Sequence, residues 1–105
     1  MRKPLTKISA KARIVPYDIS EQLRTPEEMA AYLDAWFVEA PDDATGIARA
    51  LGDIARAKGM SQVARDAGLS RESLYKALGE HGNPSFATVL KVARALGVRL
   101  HAEAA

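Results

Sequence analysis

Residues 59–78 read Gly-Met-Ser-Gln-Val-Ala-Arg-Asp-Ala-Gly-Leu-Ser-Arg-Glu-Ser-Leu-Tyr-Lys-Ala-Leu, and the rest of the predicted fold is organised around them. The spacing of its apolar residues predicts two short helices that turn the same set of side chains inward: Val63, Ala67, Leu69, Leu74 and Ala77. Gly68 can adopt the left-handed backbone conformation that reverses the chain after a helix. Ser70 is placed to cap the following helix by accepting a backbone N–H.

Two short helices meeting at such a turn form a helix-turn-helix, in which the second helix enters the major groove of DNA. Two helices are predicted before this motif. The first begins at Thr25-Pro26-Glu27-Glu28, a capping box with proline at the first helical position, and Pro41 ends it. Its apolar stripe consists of Met29, Tyr32, Leu33, Trp36, Phe37 and Ala40.

The second predicted helix begins at Asp42 or Asp43 and is closed by Gly59, with Ile47, Leu51, Ile54 and Ala55 as its buried stripe. Arg49 and Asp53 are expected to pair on its surface. Two pairs of carboxylates, Glu27/Glu28 and Asp42/Asp43, lie at these helix starts, where the positive end of the helix dipole stabilises negative charge. The pairs therefore indicate capping rather than acid–base chemistry.

A final helix follows the loop at 79–84, capped by Asn83 or Ser85 and closed by Gly97. Its predicted stripe comprises Phe86, Val89, Leu90, Val92, Ala93 and Leu96. Residues 98–103 alternate apolar and polar side chains, which predicts a strand that pairs with residues 13–19 or with its copy in a second subunit.

These elements predict an all-α fold, a compact five-helix bundle with a short C-terminal β-strand used in dimerisation. We expect a flexible basic tail at residues 1–15 and a single helical DNA-binding domain at 16–105, with the helix-turn-helix at 60–78. Residues 1–15 contain five basic and no acidic residues, residues 16–45 eight acidic and one basic, and residues 46–105 nine basic and five acidic. The basic segments are suited to binding a polyanion, and the acidic segment to binding some other surface. The alternative is that each charge only solvates an exposed helix face.

Several classes of protein are excluded by composition. The chain has no cysteine, and its two histidines, His81 and His101, have no metal-ligand spacing. Charged residues interrupt every apolar run, so no membrane span is expected. We therefore expect a cytoplasmic protein that is not an enzyme and has no catalytic residues, metal or cofactor.

The motif and its continuation, Gly82-Asn83-Pro84-Ser85 and then Ala95-Leu96-Gly97-Val98, resemble the phage-repressor type of helix-turn-helix. More narrowly, the chain resembles the addiction-module antidote proteins, small antitoxins encoded beside RelE/ParE-type toxins. The resemblance extends over roughly residues 17 to 102. It is carried by Tyr32-Leu33, residues 50–57, 59–62, Ala64-Arg65, 68–72, 74–78, Asn83-Pro84 and 86–92.

The resemblance implies DNA contacts from the second motif helix and its surroundings. Arg71 would read guanine O6 and N7, or else form an ion pair with Glu72 or Asp66. Lys76, expected close to the face of Arg71, would reach a base or a phosphate. Glu72 would accept from cytosine N4 or set the register by repelling phosphate.

The remaining expected contacts carry alternatives of their own. Ser70 and Ser73 would bond to phosphate or base edges unless Ser70 only caps the helix, and Tyr75 would contact DNA or pack half-buried. The candidate phosphate ligands are Gln62, Arg65 and Asn83. The first motif helix is expected to be short, with Ser61 as its cap.

The resemblance also implies function and partners. The chain would be a dimeric autorepressor that binds a palindromic operator in double-stranded DNA, and it would neutralise a RelE/ParE-type toxin by direct binding. The acidic block at 18–43, with Tyr32, Trp36 and Phe37, is a candidate toxin surface on the basis of its charge, although Trp36 and Phe37 also suit a core position. The alternative is a stand-alone transcriptional regulator with no toxin partner.

Overall fold

The computed structural model describes residues 19–105, which form five α-helices preceded by a turn of 3-10 helix at Ile19–Gln22. The predicted basic tail at 1–15 and residues 13–18 of the predicted extended segment lie outside the described residues. The helices are α1 Pro26–Glu39, α2 Ala44–Lys58, α3 Met60–Ala67, α4 Arg71–Leu78 and α5 Phe86–Leu96. The prediction of five helices agrees with this architecture.

Side-chain caps fix the starts of four helices, because each satisfies a backbone N–H that the helix leaves free. Thr25 and Glu28 form the predicted capping box of α1, each accepting from the backbone N–H of the other at 3.1 Å. Asp43, and not Asp42, caps α2, while Ser70 caps α4 and Ser85, rather than Asn83, caps α5.

The core lies where α3 meets its neighbours. Its most deeply buried large apolar side chains come from α2 to α5: Ile54, Val63, Leu74, Val92 and Leu96. Helix α3 packs against α2, α4 and α5, and α1 packs on α2. This arrangement surrounds the short helices α3 and α4 with longer ones, which supply the packing that eight-residue helices need for stability.

The start of α3 differs from the prediction. Helix α3 begins at Met60 and not after a cap at Ser61, so a single residue, Gly59, separates it from α2. Gly59 has φ +118° and ψ +109°, a backbone conformation that side-chain-bearing residues rarely adopt. The sharp corner between the two helices therefore depends on glycine, and no side chain caps α3.

The predicted C-terminal strand at 98–103 is wrong, because residues 19–105 contain no strand. Within the described residues no other extended segment is available to form a ladder with it. Val98 and Leu100 are partly buried against the helical core, whereas Arg99 and His101 are exposed. Packing of an irregular segment onto helices thus produces the same alternation that suggested a strand, and the inference of a strand-mediated dimer falls with it.

Three residues of the predicted stripes are exposed instead of buried: Phe37 in α1, and Phe86 and Leu90 in α5. Helical periodicity identifies an apolar face, but the width of the face that neighbouring elements cover is set by the tertiary structure. Tyr32 and Trp36 are buried in α1 as the spacing predicted.

Candidate nucleic-acid interface

The turn between α3 and α4 has the predicted left-handed glycine. Gly68 has φ 74° and ψ 30°, and its N–H donates to the carbonyl oxygens of Ala64 and Arg65. The N–H of Leu69 also donates to the Ala64 carbonyl oxygen, at 2.8 Å. These bonds satisfy the last carbonyls of α3 and redirect the chain within three residues, after which α4 begins at Arg71 with Ser70 as its cap.

Helix α4 packs on α2. Leu74 and Leu78 are buried on the inner side of α4, and Gly52 of α2 lies against its end. A Cβ at residue 52 would lie 2.9 Å from the backbone carbonyl oxygen of Leu78. Because real Cβ atoms avoid so short a distance from backbone, glycine at this position allows the close approach of the two helices.

All nine residues predicted to contact DNA are exposed. They come from three neighbouring parts of the chain. Helix α3 supplies Gln62 and Arg65, helix α4 and its cap supply six, and the following loop supplies Asn83. The six are Ser70, Arg71, Glu72, Ser73, Tyr75 and Lys76.

Arg71 and Tyr75 contact each other on the exposed side of α4. The Arg71 guanidinium lies over the Tyr75 ring, with its carbon 5.3 Å from the ring centroid. Arg71 Nη2 also donates a hydrogen bond to the Tyr75 hydroxyl at 3.2 Å. Tyr75 is 45% exposed, and within residues 19–105 Arg71 forms no ion pair with Glu72 or Asp66.

Ser70 and Ser73 form a second contact at the start of α4. The Ser70 hydroxyl oxygen accepts from the Ser73 backbone N–H at 2.9 Å, and it donates its proton to the Ser73 hydroxyl oxygen at 2.8 Å. Ser70 is therefore engaged as the helix cap. The Ser73 hydroxyl proton takes no part in these two bonds and remains the better donor to an acceptor such as phosphate.

Lys76 lies on a different side of α4 from Arg71. Five residues correspond to a rotation of about 140° beyond one full turn at 3.6 residues per turn, whereas Glu72 and Lys76, four residues apart, are neighbours. The expected proximity of Lys76 to the face of Arg71 is therefore not met. The exposed surface of α4 instead consists of two adjacent stripes, one with Arg71 and Tyr75 and the other with Glu72 and Lys76.

A second charged surface lies on the outer side of α1. Glu27, Ala31, Asp34 and Val38 are exposed and follow one another at helical spacing, which gives an acidic stripe with small apolar residues. Glu28 is not free to join it, because its carboxylate accepts from the Arg24 and Thr25 backbone N–H groups. The bond from the Arg24 backbone lowers the pKa of Glu28, and the Arg24 side chain lowers it further.

A buried acid connects α1 and α2, and sequence patterns did not reveal it. Asp53 is 1% exposed and accepts from the Tyr32 hydroxyl at 2.7 Å and from the Arg56 guanidinium. The predicted surface pair with Arg49 is therefore wrong. The only signal in the sequence was an aspartate in the middle of an apolar stripe, next to Ile54.

The described residues contain no cluster of histidine and carboxylate side chains with the geometry of a metal site. None of the helices in that part of the chain has the length and apolar character needed to cross a membrane.

Comparison with known proteins was made over the whole chain. A family model described as "Probable addiction module antidote protein" matches residues 13–104. The chain belongs to this family. An "Uncharacterized protein" of Haemophilus influenzae is 52% identical over 87 residues, which cover 83% of this chain and 88% of that protein. A search of solved structures found no significant match.

Membership of the antidote family gives the chain an antitoxin role and implies a toxin partner of some kind. It confirms the family suggested by the motif residues. The matched region contains all five helices, the exposed surface of α3 and α4, and the acidic stripe of α1.

Proposed function

We propose that this antidote protein binds its own promoter as a dimer through α3 and α4, represses transcription, and neutralises a RelE/ParE-type toxin by direct binding. The observation that carries the DNA-binding part is the exposed surface of α4. There, a left-handed turn and a serine cap present Arg71, already ordered by Tyr75, at the start of a short helix.

The chemistry of that surface suits DNA. An arginine at the start of the second motif helix can form two parallel hydrogen bonds to guanine, a contact worth about 1–3 kcal/mol of discrimination. Lys76 and Ser73 offer donors from the same helix, while Gln62 and Arg65 of α3 and Asn83 of the loop are candidates for phosphate. Glu72 lies between these donors and would disfavour phosphate, which helps to set the register of the helix.

A single α4 covers too few base pairs for a useful level of specificity. Two copies related by a twofold axis would read a palindrome with half-sites about 34 Å apart. The family role favours an antitoxin over a stand-alone regulator, because an antidote requires something to neutralise.

For the toxin we propose the outer stripe of α1. Glu27 and Asp34 are exposed two helical turns apart, and Ala31 between them leaves room for the close approach of a partner. A toxin that acts on nucleic acid needs a basic surface, which an acidic helix complements. The two proposed surfaces thus separate the two activities on one molecule.

The toxin surface is tested by pull-down of the full chain with the toxin encoded beside it. The variant Glu27→Lys/Asp34→Lys should lose most of the bound toxin, because two acidic groups become repulsive. Glu80→Lys, an exposed acid in the loop after α4, serves as the matched control and should retain it. Glu28 is left unchanged because it stabilises the start of α1. Retention of the toxin by the double variant would refute the proposed surface.

A further inference from the structure

An apolar groove lies beside the two charged surfaces. It has a volume of about 720 Å³ and is bounded by α1, α2, α5 and the C-terminal segment. Three of the five large hydrophobic side chains exposed in residues 19–105 line it: Phe37, Phe86 and Leu90. Phe86 is 70% exposed and Leu90 46%. An exposed apolar patch of this kind on a small protein marks an interaction site.

We propose that a second copy of this chain occupies the groove, with α5 of each copy lying against the groove of the other. This inference rests on the proposed function, since reading a palindrome requires a dimer. The contact would be isologous, so the same patch serves both copies and leaves no exposed apolar surface to recruit a third.

The charges around the groove favour a copy of the chain over other partners. The ionisable side chains lining it are Asp42 and His101, and the remainder is almost entirely apolar. A lining without lysine or arginine does not suit DNA. A basic toxin is complemented by the outer stripe of α1 and not by a surface with one acidic group.

The patch is also self-complementary. Arg94 is exposed on α5 one turn after Leu90, and therefore lies beside the apolar stripe that would enter the partner's groove. Asp42, in the segment between α1 and α2, lines the groove. A twofold contact that places Leu90 in the opposite groove offers Arg94 of each copy the Asp42 carboxylate of the other as an ion-pair partner.

The size of the protein is compatible with the spacing that DNA demands. The described residues measure 36 × 34 × 26 Å, so two copies in side-by-side contact have centres about one body width apart. This distance is of the order of the roughly 34 Å between successive major-groove half-sites. Asn83 and Pro84, in the loop that leaves α4, also line the groove, so a copy bound there lies next to the DNA-facing helix.

The test is the mass of the full chain in solution, measured by light scattering without DNA or toxin. The wild type should have the mass of two chains, and Leu90→Asp and Phe86→Asp should each reduce it to half at the same concentration. Ser61→Asp is the control, because residue 61 is exposed on α3 and does not line the groove; it should stay dimeric. Unchanged circular dichroism confirms that the variants are folded.

Two mass results would overturn the proposal, namely a monomeric wild type or groove variants that remain dimeric. Loss of toxin binding by variants that stay dimeric would also overturn it, because the groove would then belong to the toxin. DNA binding is measured separately, on fragments of the protein's own promoter. If the wild type is dimeric and the groove variants are monomeric but the wild type itself binds no promoter fragment, the interface stands and the proposed DNA function fails.

Discussion

The Arg71 guanidinium lies over the aromatic ring of Tyr75 and donates a hydrogen bond to its hydroxyl, at 3.2 Å. The two residues are four apart on α4, so the helix itself brings them together. An arginine that is held in this way has less side-chain freedom to lose when it binds a ligand. Tyr75, expected either to contact DNA or to pack half-buried, is 45% exposed and contacts the neighbouring arginine, and its contact with DNA stays a prediction.

Substitutions of Tyr75 should weaken promoter binding in two steps. Tyr75→Phe removes the hydrogen bond but retains the ring, and Tyr75→Ala removes both. An exposed cation–π contact is worth about 0.5–1 kcal/mol, so the alanine variant should bind its operator at least twofold to fivefold more weakly than wild type. The measurement is a titration monitored by fluorescence anisotropy, with a scrambled duplex as control. Wild-type affinity in Tyr75→Ala would show that Arg71 does not need this support.

Lys76 should behave as a phosphate ligand, since it lies on a different stripe from Arg71. Lys76→Ala should weaken binding to operator and scrambled DNA by the same factor and reduce the salt slope of log K by about 0.9. The control is Arg99→Ala, which removes an exposed charge from the C-terminal segment. A loss confined to the operator would instead mean that Lys76 reads a base.

Gly52 should be intolerant of alanine although it lies inside a helix. Helix propensity alone would make Gly52→Ala stabilising by about 0.5–1 kcal/mol. The close approach of the Leu78 carbonyl oxygen predicts the opposite sign, a destabilisation of about 1–3 kcal/mol. Urea denaturation measures the change in the free energy of unfolding. A stabilised variant would refute the close packing of α4 on α2.

The buried bond between Tyr32 and Asp53 should contribute to stability. Tyr32→Phe removes a hydrogen bond to a buried carboxylate, which is worth about 1.5–3 kcal/mol. Tyr75→Phe, which removes an exposed hydroxyl, is the control and should change the free energy of unfolding very little. A double-mutant cycle with Asp53→Ala, which removes the acceptor, isolates the coupling. Additive effects of the two substitutions would show that the bond has no energetic role.

Local signals in the sequence predicted most of the architecture. The capping residues Thr25, Ser70 and Ser85 and the turn at Gly68 lie where expected, because a cap involves residues within a few positions of one another. The prediction of a C-terminal strand was wrong because a strand needs a partner strand, and the alternation of residues 98–103 does not show whether one is present.

Neither the groove nor the buried Asp53 could be predicted, because each depends on contacts between residues that are distant in the chain. Asp53 is buried because Tyr32, 21 residues earlier, offers it a hydroxyl. Phe86 and Leu90 share the periodicity of buried residues, but only the arrangement of α1, α2 and α5 leaves them uncovered. The exposure of the predicted DNA contacts within α3 and α4 follows from the helical period, whereas the pairing of Arg71 with Tyr75 required side-chain geometry.

Footprinting on the protein's own promoter at a stated salt concentration, with wild type and Arg71→Ala side by side, tests whether Arg71 reads an operator base. We expect two protected half-sites related by twofold symmetry with centres about one helical turn apart. We also expect Arg71→Ala to lose this protection while its binding to non-specific DNA is unchanged. Absence of any protected site, or equal weakening of Arg71→Ala on every sequence, would contradict this expectation.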